Sequence, residues 1–261
     1  MLRWIGIKPT LILKGMTHLN KILVTGTSSG LGRFLVEELE AKEYRRGCVG
    51  YTENRYDVII HNAWDTQRRD SKTYTYFHHA NMLFNNLVTL PHTKFVFISS
   101  VEVYPKDDLK VYSADDKLDN RDIKGIYGLT KYSIEQQLQT HNNCLIIRPS
   151  AILGKYTRKD NNITKIRKGL PIRLHPASII NFVLYEDILK FIKIAIEEDL
   201  TGTYNLTSSS HVPVMDIHDG KYEVQTYLYT LPDIDNSKTQ QILPELKRGS
   251  QETYQLWLKK S

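Results

Sequence analysis

The residues best placed to do chemistry are Tyr127 and Lys131, in the run Tyr-Gly-Leu-Thr-Lys. At i and i+4 they share one face of a helix, a turn apart. A phenol with its ordinary pKa near 10 is a poor base at neutral pH. An ammonium beside it stabilises the phenolate and draws that pKa towards working pH. Two features upstream give the pair a context. Ser99 and Ser100 end an apolar run over 94–99, and Ser100 precedes the tyrosine by 27 residues. Gly26-Thr27-Ser28-Ser29-Gly30-Leu31-Gly32 follows the apolar residues 21–25 and opens a stretch with helical spacing. Glycines in that context allow a tight turn and close backbone approach to a pyrophosphate, which then rests on the helix N-terminus.

These residues need elements to carry them. Phe34, Leu35, Leu39 and Ala41 recur at helical spacing after the turn. Residues 57–60 and 94–99 read as buried strands, 73–90 and 126–140 as helices, and 144–148 as a further strand. Residues 48–52 are a candidate second strand, but only about five residues separate it from 57–60, too few for a parallel crossover of about a dozen. The second strand is therefore vestigial, or the two segments are not paired in the usual parallel way. An acid about 20 residues past the glycines would hold an adenosine ribose; Glu53 is the nearest candidate there. His61-Asn62-Ala63-Trp64 leaves the 57–60 strand at the carboxyl edge, where ligands bind in such sheets. The expected class is α/β, a doubly wound parallel sheet with a reduced second-strand region. Beyond Pro149 short strands (172–174, 179–183, 203–206) surround an amphipathic helix over 185–199, and the tail from 235 reads as one or two short helices. The expected organisation is an extension over 1–20, a dinucleotide-binding domain over 21–150 and a small lobe over 151–261. Residues 1–15 read as dispensable, with Met16 just before the first strand.

Composition narrows the classes. With 261 residues, 41% apolar and 25% charged, the chain can bury a proper core. A net charge of +6 suits anionic ligands, nucleotides included. No dense Lys/Arg run interleaved with aromatics appears, so nucleic acid is a disfavoured partner. The two cysteines, Cys48 and Cys144, make neither a metal spacing nor a disulfide framework, which fits a reducing cytoplasm. No run reaches the roughly 18 apolar residues of a membrane helix.

Taken in line, these motifs resemble the short-chain dehydrogenase/reductase superfamily, and most closely its extended type, the NAD-dependent epimerase/dehydratase family. Phe95-Val-Phe-Ile-Ser-Ser-Val-Glu-Val-Tyr104 is similar to the family's strand and serine loop. Tyr127-Gly128-x-x-Lys131 is similar to its catalytic pair, Arg148-Pro149 with Gly154 to its Arg-Pro-x-x-x-x-Gly turn, and Tyr185-Glu-Asp187 and Gly202-Thr-Tyr-Asn205 to later segments. The resemblance implies a Rossmann-like fold, NAD or NADP as cofactor and a nucleotide sugar as substrate. It implies Tyr127 as the acid/base and Lys131 as the ligand of the nicotinamide ribose that depresses the Tyr127 pKa. Ser100 would position the reacting oxygen, and Glu102 could be a base at the sugar ring. Gly26, Gly30 and Gly32 would carry the pyrophosphate, with Thr27, Ser28 and Leu31 of the same turn also binding the cofactor. Asn62, Ala63, Asn81, Ser99 and Pro149 would border the cofactor. A homodimer follows from the family by analogy alone.

Four departures bear on the activity. The glycine spacing is that of the short, single-domain branch, and the second crossover is cut down. Ile180 stands where many members carry an Arg for the substrate diphosphate, so Lys165, Arg167 or Arg173 substitutes or the substrate is not a nucleotide sugar. Val101 stands where dehydratases carry an Asp. Epimerase, dehydratase and simple reductase of a sugar nucleotide or small carbonyl stay open. A non-catalytic dinucleotide sensor or RNA-binding protein on the same fold is the competing class.

Overall fold

The computed structural model describes residues 21–28, 30–45, 51–52, 54–64, 73–106, 110–157, 161–218 and 220–260. In chain order come β1 (Ile22–Val24), α1 (Gly30–Leu39), β2 (Lys42–Glu43), β3 (Tyr56–His61), α2 (Thr73–Val88) and β4 (His92–Ile98). A 3-10 turn over Val101–Val103 leads to β5 (Val111–Tyr112), α3 (Ile126–Leu138), β6 (Cys144–Pro149), β7 (Ala151–Leu153) and α4 (Asn162–Arg167). Then follow β8 (Ile172–Leu174), β9 (Ile179–Ile180), β10 (Phe182–Leu184), α5 (Tyr185–Glu197), β11 (Gly202–Leu206) and β12 (Val212–Pro213). The chain closes with β13 (Tyr222–Tyr227), β14 (Asp233–Ile234), α6 (Ser237–Ile242) and α7 (Ser250–Lys260).

Six strands form one parallel sheet in the order β11-β6-β4-β3-β1-β2. The period-2 alternation of its strands splits their side chains between two cores. Val24, Ile60, Val96 and Ile147 pack with Phe34, Leu35, Ile188 and Phe191 of α1 and α5. Leu23, Ile59, Phe95 and Ile146 pack with Phe84, Leu87, Ile134 and Leu138 of α2 and α3. Strands buried on both faces read as continuous apolar runs, which is why 57–60 and 94–99 stood out. The sheet is doubly wound, as expected.

Two strand assignments change. Among the described residues the strand that follows β1 is Lys42–Glu43; of the expected 48–52, residues 48–50 lie outside the described residues. Lys42–Glu43 is a two-residue edge strand whose Leu23↔Lys42 and Val24↔Glu43 register pairs it with β1. Tyr51 is not in a strand; it turns inward, and its hydroxyl donates to Glu43 O at 3.2 Å and accepts from Arg45 N at 2.8 Å. The crossover difficulty dissolves because β1 lies between β2 and β3, so no short link joins neighbouring strands. The second change concerns 203–206. Instead of belonging to the small strands around α5, β11 completes the central sheet, in register with β6 from Gly202↔Leu145 to Leu206↔Pro149. Strands β8–β10, β12 and β13 with α7 enclose a smaller cluster built on Ile172, Phe182, Val212, Tyr254 and Trp257, while β14 pairs with β5.

This winding sets the place of the site. From β1 the chain goes outward to β2, then returns past β1 to β3 and runs on to β4 and β6. The reversal lies between β1 and β3, and ligands of open α/β sheets bind in the crevice at the carboxyl ends of such strands.

Candidate active site

At that crevice Thr25 ties the ends of β1 and β3 together. Its Oγ1 accepts the Asn62 amide at 3.1 Å and the Ala63 amide at 2.9 Å, and lies 2.9 Å from His61 Nδ1. With both lone pairs engaged, the hydroxyl donates to Nδ1, so the imidazole carries its own hydrogen on Nε2. Burial, with Lys131 adding to it, drops the His61 pKa to about 3 and keeps the ring neutral. The glycine turn docks against this junction. Gly26 has φ +72°, and a Cβ there would stand 2.8 Å from Ala63 Cα. A Cβ on Gly32 would stand 2.2 Å from Gly26 O. Side chains at either position would push turn, helix and junction apart.

An open chamber of about 900 Å³ lies over the turn, lined by Gly26, Thr27, Ser28, Ala63, Glu43 and Arg45. Glu43 is the acid that β2 delivers to this chamber, held by Arg45 at 3.2–3.3 Å. Glu53, the acid expected from spacing, lies outside the described residues. Misplacing β2 in the sequence hid Glu43. Glycines that clear the approach, the N-terminus of α1 and an acid at the β2 end suit a dinucleotide's pyrophosphate and ribose.

A second cleft of about 1130 Å³ opens beside the first and collects Ser99, Ser100, Glu102, Tyr127, Lys131, Asn62 and Pro149. Ser100 Oγ accepts the Glu102 amide at 3.2 Å and so caps the 3-10 turn, leaving its hydrogen for another acceptor. Helix α3 presses on this loop. A Cβ on Gly128 would come within 2.1 Å of Glu102 O, so the residue after Tyr127 sets the spacing between tyrosine and serine. Lys131 Nζ donates to Ile98 O at 2.6 Å and lies 4.7 Å from the Trp64 ring, 4.8 Å from Phe97 and 6.0 Å from Tyr127. Its hydrogen bond thus goes to the β4 backbone. Burial lowers its pKa to about 7, against the opposing pull of Glu135.

Tyr229 of this cleft and Lys106 beside it carried no sequence signal as functional groups, and Trp64, expected at the carboxyl edge, had no role assigned there. Tyr229 reaches the cleft from beyond β13, and its hydroxyl donates to Glu102 Oε1. Lys106 stands 3.1 Å from the other carboxylate oxygen and 4.9 Å from the Tyr229 ring. Burial first, then Glu102, push the Tyr229 phenol far above its ordinary value. Trp64 packs edge-on to Tyr127 at 4.4 Å and to Tyr76 at 4.6 Å. Only an arrangement in space could have singled out Tyr229 and Lys106.

Other expected residues stand apart. Leu31 is buried in the α1 core. Asn81 lines neither chamber; its amide donates to Phe77 O at 2.9 Å and its carbonyl accepts from Gln137 at 2.7 Å. Ile180 is buried in the smaller cluster. Of the cations suggested in its stead, Lys165 and Arg173 share Glu223, and Arg167 stacks 4.9 Å from the Trp257 ring. Among the described residues no helix is long and apolar enough to cross a membrane, and no group of three His, Cys, Asp or Glu could hold a metal ion.

A parallel sheet wound about a glycine turn, with serine, tyrosine and lysine at its carboxyl edge, marks a dinucleotide-dependent enzyme fold. The chain belongs to the NAD dependent epimerase/dehydratase family, whose model matches residues 48–207. No curated protein matches the sequence at a significant level. Among solved structures it is similar to MoeE5 in complex with UDP-glucose and NAD, at 18% identity and TM-score 0.74 over 92% of this chain and 97% of that one. It is also similar to TunA, an NAD-dependent NDP-hexosamine 5,6-dehydratase of tunicamycin biosynthesis (16% identity, TM-score 0.73, 92% and 96% covered). A dTDP-4-dehydrorhamnose reductase of Clostridium acetobutylicum aligns at 16% identity and TM-score 0.70 over 92% and 98%. At such identities the likeness is one of fold.

Proposed function

We propose that the chain transforms a sugar, presented as a nucleotide sugar, by redox chemistry at one carbon with NAD as the cofactor. The observation that carries this is the meeting of Ser100, Glu102, Tyr127 and Lys131 in one cleft beside the chamber over the glycine turn. The structural neighbours include proteins bound to UDP-glucose and to NAD, which supports the substrate class. When bound, the dinucleotide supplies hydride acceptance and return. Tyr127 takes the proton of the reacting hydroxyl as its carbon is oxidised and gives it back on reduction. Ser100, whose oxygen already accepts from Glu102 N, donates its free hydrogen to the same substrate oxygen and fixes its position. Lys131 acts through its charge and as a ligand of the ribose. Glu43 favours the unphosphorylated ribose, since its carboxylate repels a 2′-phosphate. Glu102 has both oxygens engaged, by Tyr229 and Lys106. That favours epimerisation or reduction over dehydration, which would need a free base there.

The test pairs wild type with Tyr127→Phe on a panel of nucleotide sugars, followed by mass spectrometry for turnover and for the cofactor released on denaturation. Tyr127→Phe keeps the ring and its contact with Trp64, so NAD retention persists. Turnover falls by at least about a hundredfold, the usual size of lost acid/base assistance. Equal turnover by both proteins ends the case for this site.

A further inference from the structure

The two chambers share one lining residue among those described, and it is Trp64. A dinucleotide laid from the glycine turn to Tyr127 has to cross the boundary where this indole stands. The indole is not loose there. It meets the Tyr127 ring edge-on at 4.4 Å and the Tyr76 ring at 4.6 Å, and Lys131 Nζ sits 4.7 Å from it. The same side chain also covers a smaller cavity formed with His61, Tyr76, Phe97 and Lys131. Edge-to-face aromatic pairs and a desolvated cation over indole are each net attractive, so this placement is a held state.

We infer that Trp64 is a partition across the cofactor cleft, closed over Tyr127 and Lys131 in the free protein and displaced when a dinucleotide binds. This rests on the dinucleotide reading above. Its consequence is a reduced affinity: a ligand that binds only the open arrangement has its apparent Kd raised by the reciprocal of the open fraction. The partition also explains the hydrogen bond from Lys131 to Ile98 O. With the indole over it, the ammonium turns to the nearest backbone carbonyl; once the indole swings away, it faces the cleft and can meet a ribose hydroxyl.

The experiment measures NAD and NADP affinity by calorimetry for wild type, Trp64→Ala and Trp64→Phe, with stopped-flow tryptophan fluorescence on wild type and Trp64→Phe. Thermal melts establish that each variant is folded; the Phe variant, which keeps a ring, guards against collapse of the Ala variant. The expected result is NAD binding at least about tenfold tighter in Trp64→Ala, with an intermediate gain in Trp64→Phe. A fluorescence change on NAD addition to wild type that disappears in Trp64→Phe assigns the movement to this indole. Folded variants that bind NAD no tighter than wild type overturn the partition while leaving the dinucleotide reading intact. If neither wild type nor variants bind NAD or NADP at millimolar concentration, the dinucleotide reading fails and the partition with it.

Discussion

Arg148 at the end of β6 and Glu135 in α3 form an ion pair buried from solvent on both sides, with side chains 4% and 1% exposed. The contact is forked, with Nη2 to Oε2 at 2.6 Å and Nε to both oxygens at 3.1–3.2 Å. Ser99 donates to the same carboxylate, and Arg148 reaches Tyr104 OH at 2.8 Å, which in turn donates to Asn205 Oδ1 at 2.7 Å. Glu135 lies one turn beyond Lys131 on the same helix. The pair therefore fastens the helix bearing Tyr127 and Lys131 to the serine strand and to the edge strand β11.

Breaking this pair from one side leaves a buried charge without its partner. Arg148→Met is expected to cost about 3–5 kcal/mol of unfolding free energy. Arg148→Met combined with Glu135→Leu should recover much of that, because no charge then stays behind in the core. Urea unfolding of wild type, the single variant and the double variant checks both statements. A single-variant loss below about 1 kcal/mol would show that the pair holds nothing together.

The pH dependence of stability carries a signature of His61. Its folded pKa of about 3 lies below the ordinary 6.5, so from pH 6.5 downward the unfolded chain binds a proton that the folded one refuses. The stability this contributes is fully present above pH 6.5 and is lost as the pH falls towards 3, by up to about 1.4 kcal/mol per unit. Lys131 is also depressed, to about 7, but its window lies between 7 and its ordinary 10.5 and does not overlap. His61→Gln should be less stable than wild type at pH 7.5, with the gap narrowing steadily at pH 5.5 and 4.5. Parallel unfolding curves at these values are the check, and a constant gap would contradict a buried neutral imidazole.

How much of this was legible beforehand depended on how local the signal was. The apolar runs at 57–60 and 94–99 announce buried strands because both sheet faces are covered. The glycine turn and the Tyr-x-x-x-Lys pair are likewise written within a single turn or helix. Lys42–Glu43 offers no such run: it is polar, two residues long and at the sheet edge, and an inward-turned Tyr51 beside it imitates a strand. The partner of β11 is set by pairing Gly202–Leu206 with a strand more than fifty residues earlier, which periodicity cannot encode. Tyr229 meets Glu102 across 127 positions of sequence, so its place in the cleft is a product of the fold alone.

That contact supplies the last prediction. Tyr229 donates to one oxygen of Glu102 while Lys106 holds the other, and the phenol's raised pKa keeps it protonated through any physiological pH. Tyr229→Phe keeps the ring beside Lys106 and removes only the donor. Hydrogen bonds to charged groups are worth about 1.5–3 kcal/mol, and this one joins the chain beyond β13 to the serine loop. The variant should therefore lose about 1–2 kcal/mol of stability. Glu102→Gln should lose a comparable amount, and the double variant should lose clearly less than the sum of the two. A double-mutant cycle by urea unfolding measures that coupling directly. A coupling indistinguishable from zero would mean that the phenol and the carboxylate only lie side by side, and that Glu102 is free to act as a base after all.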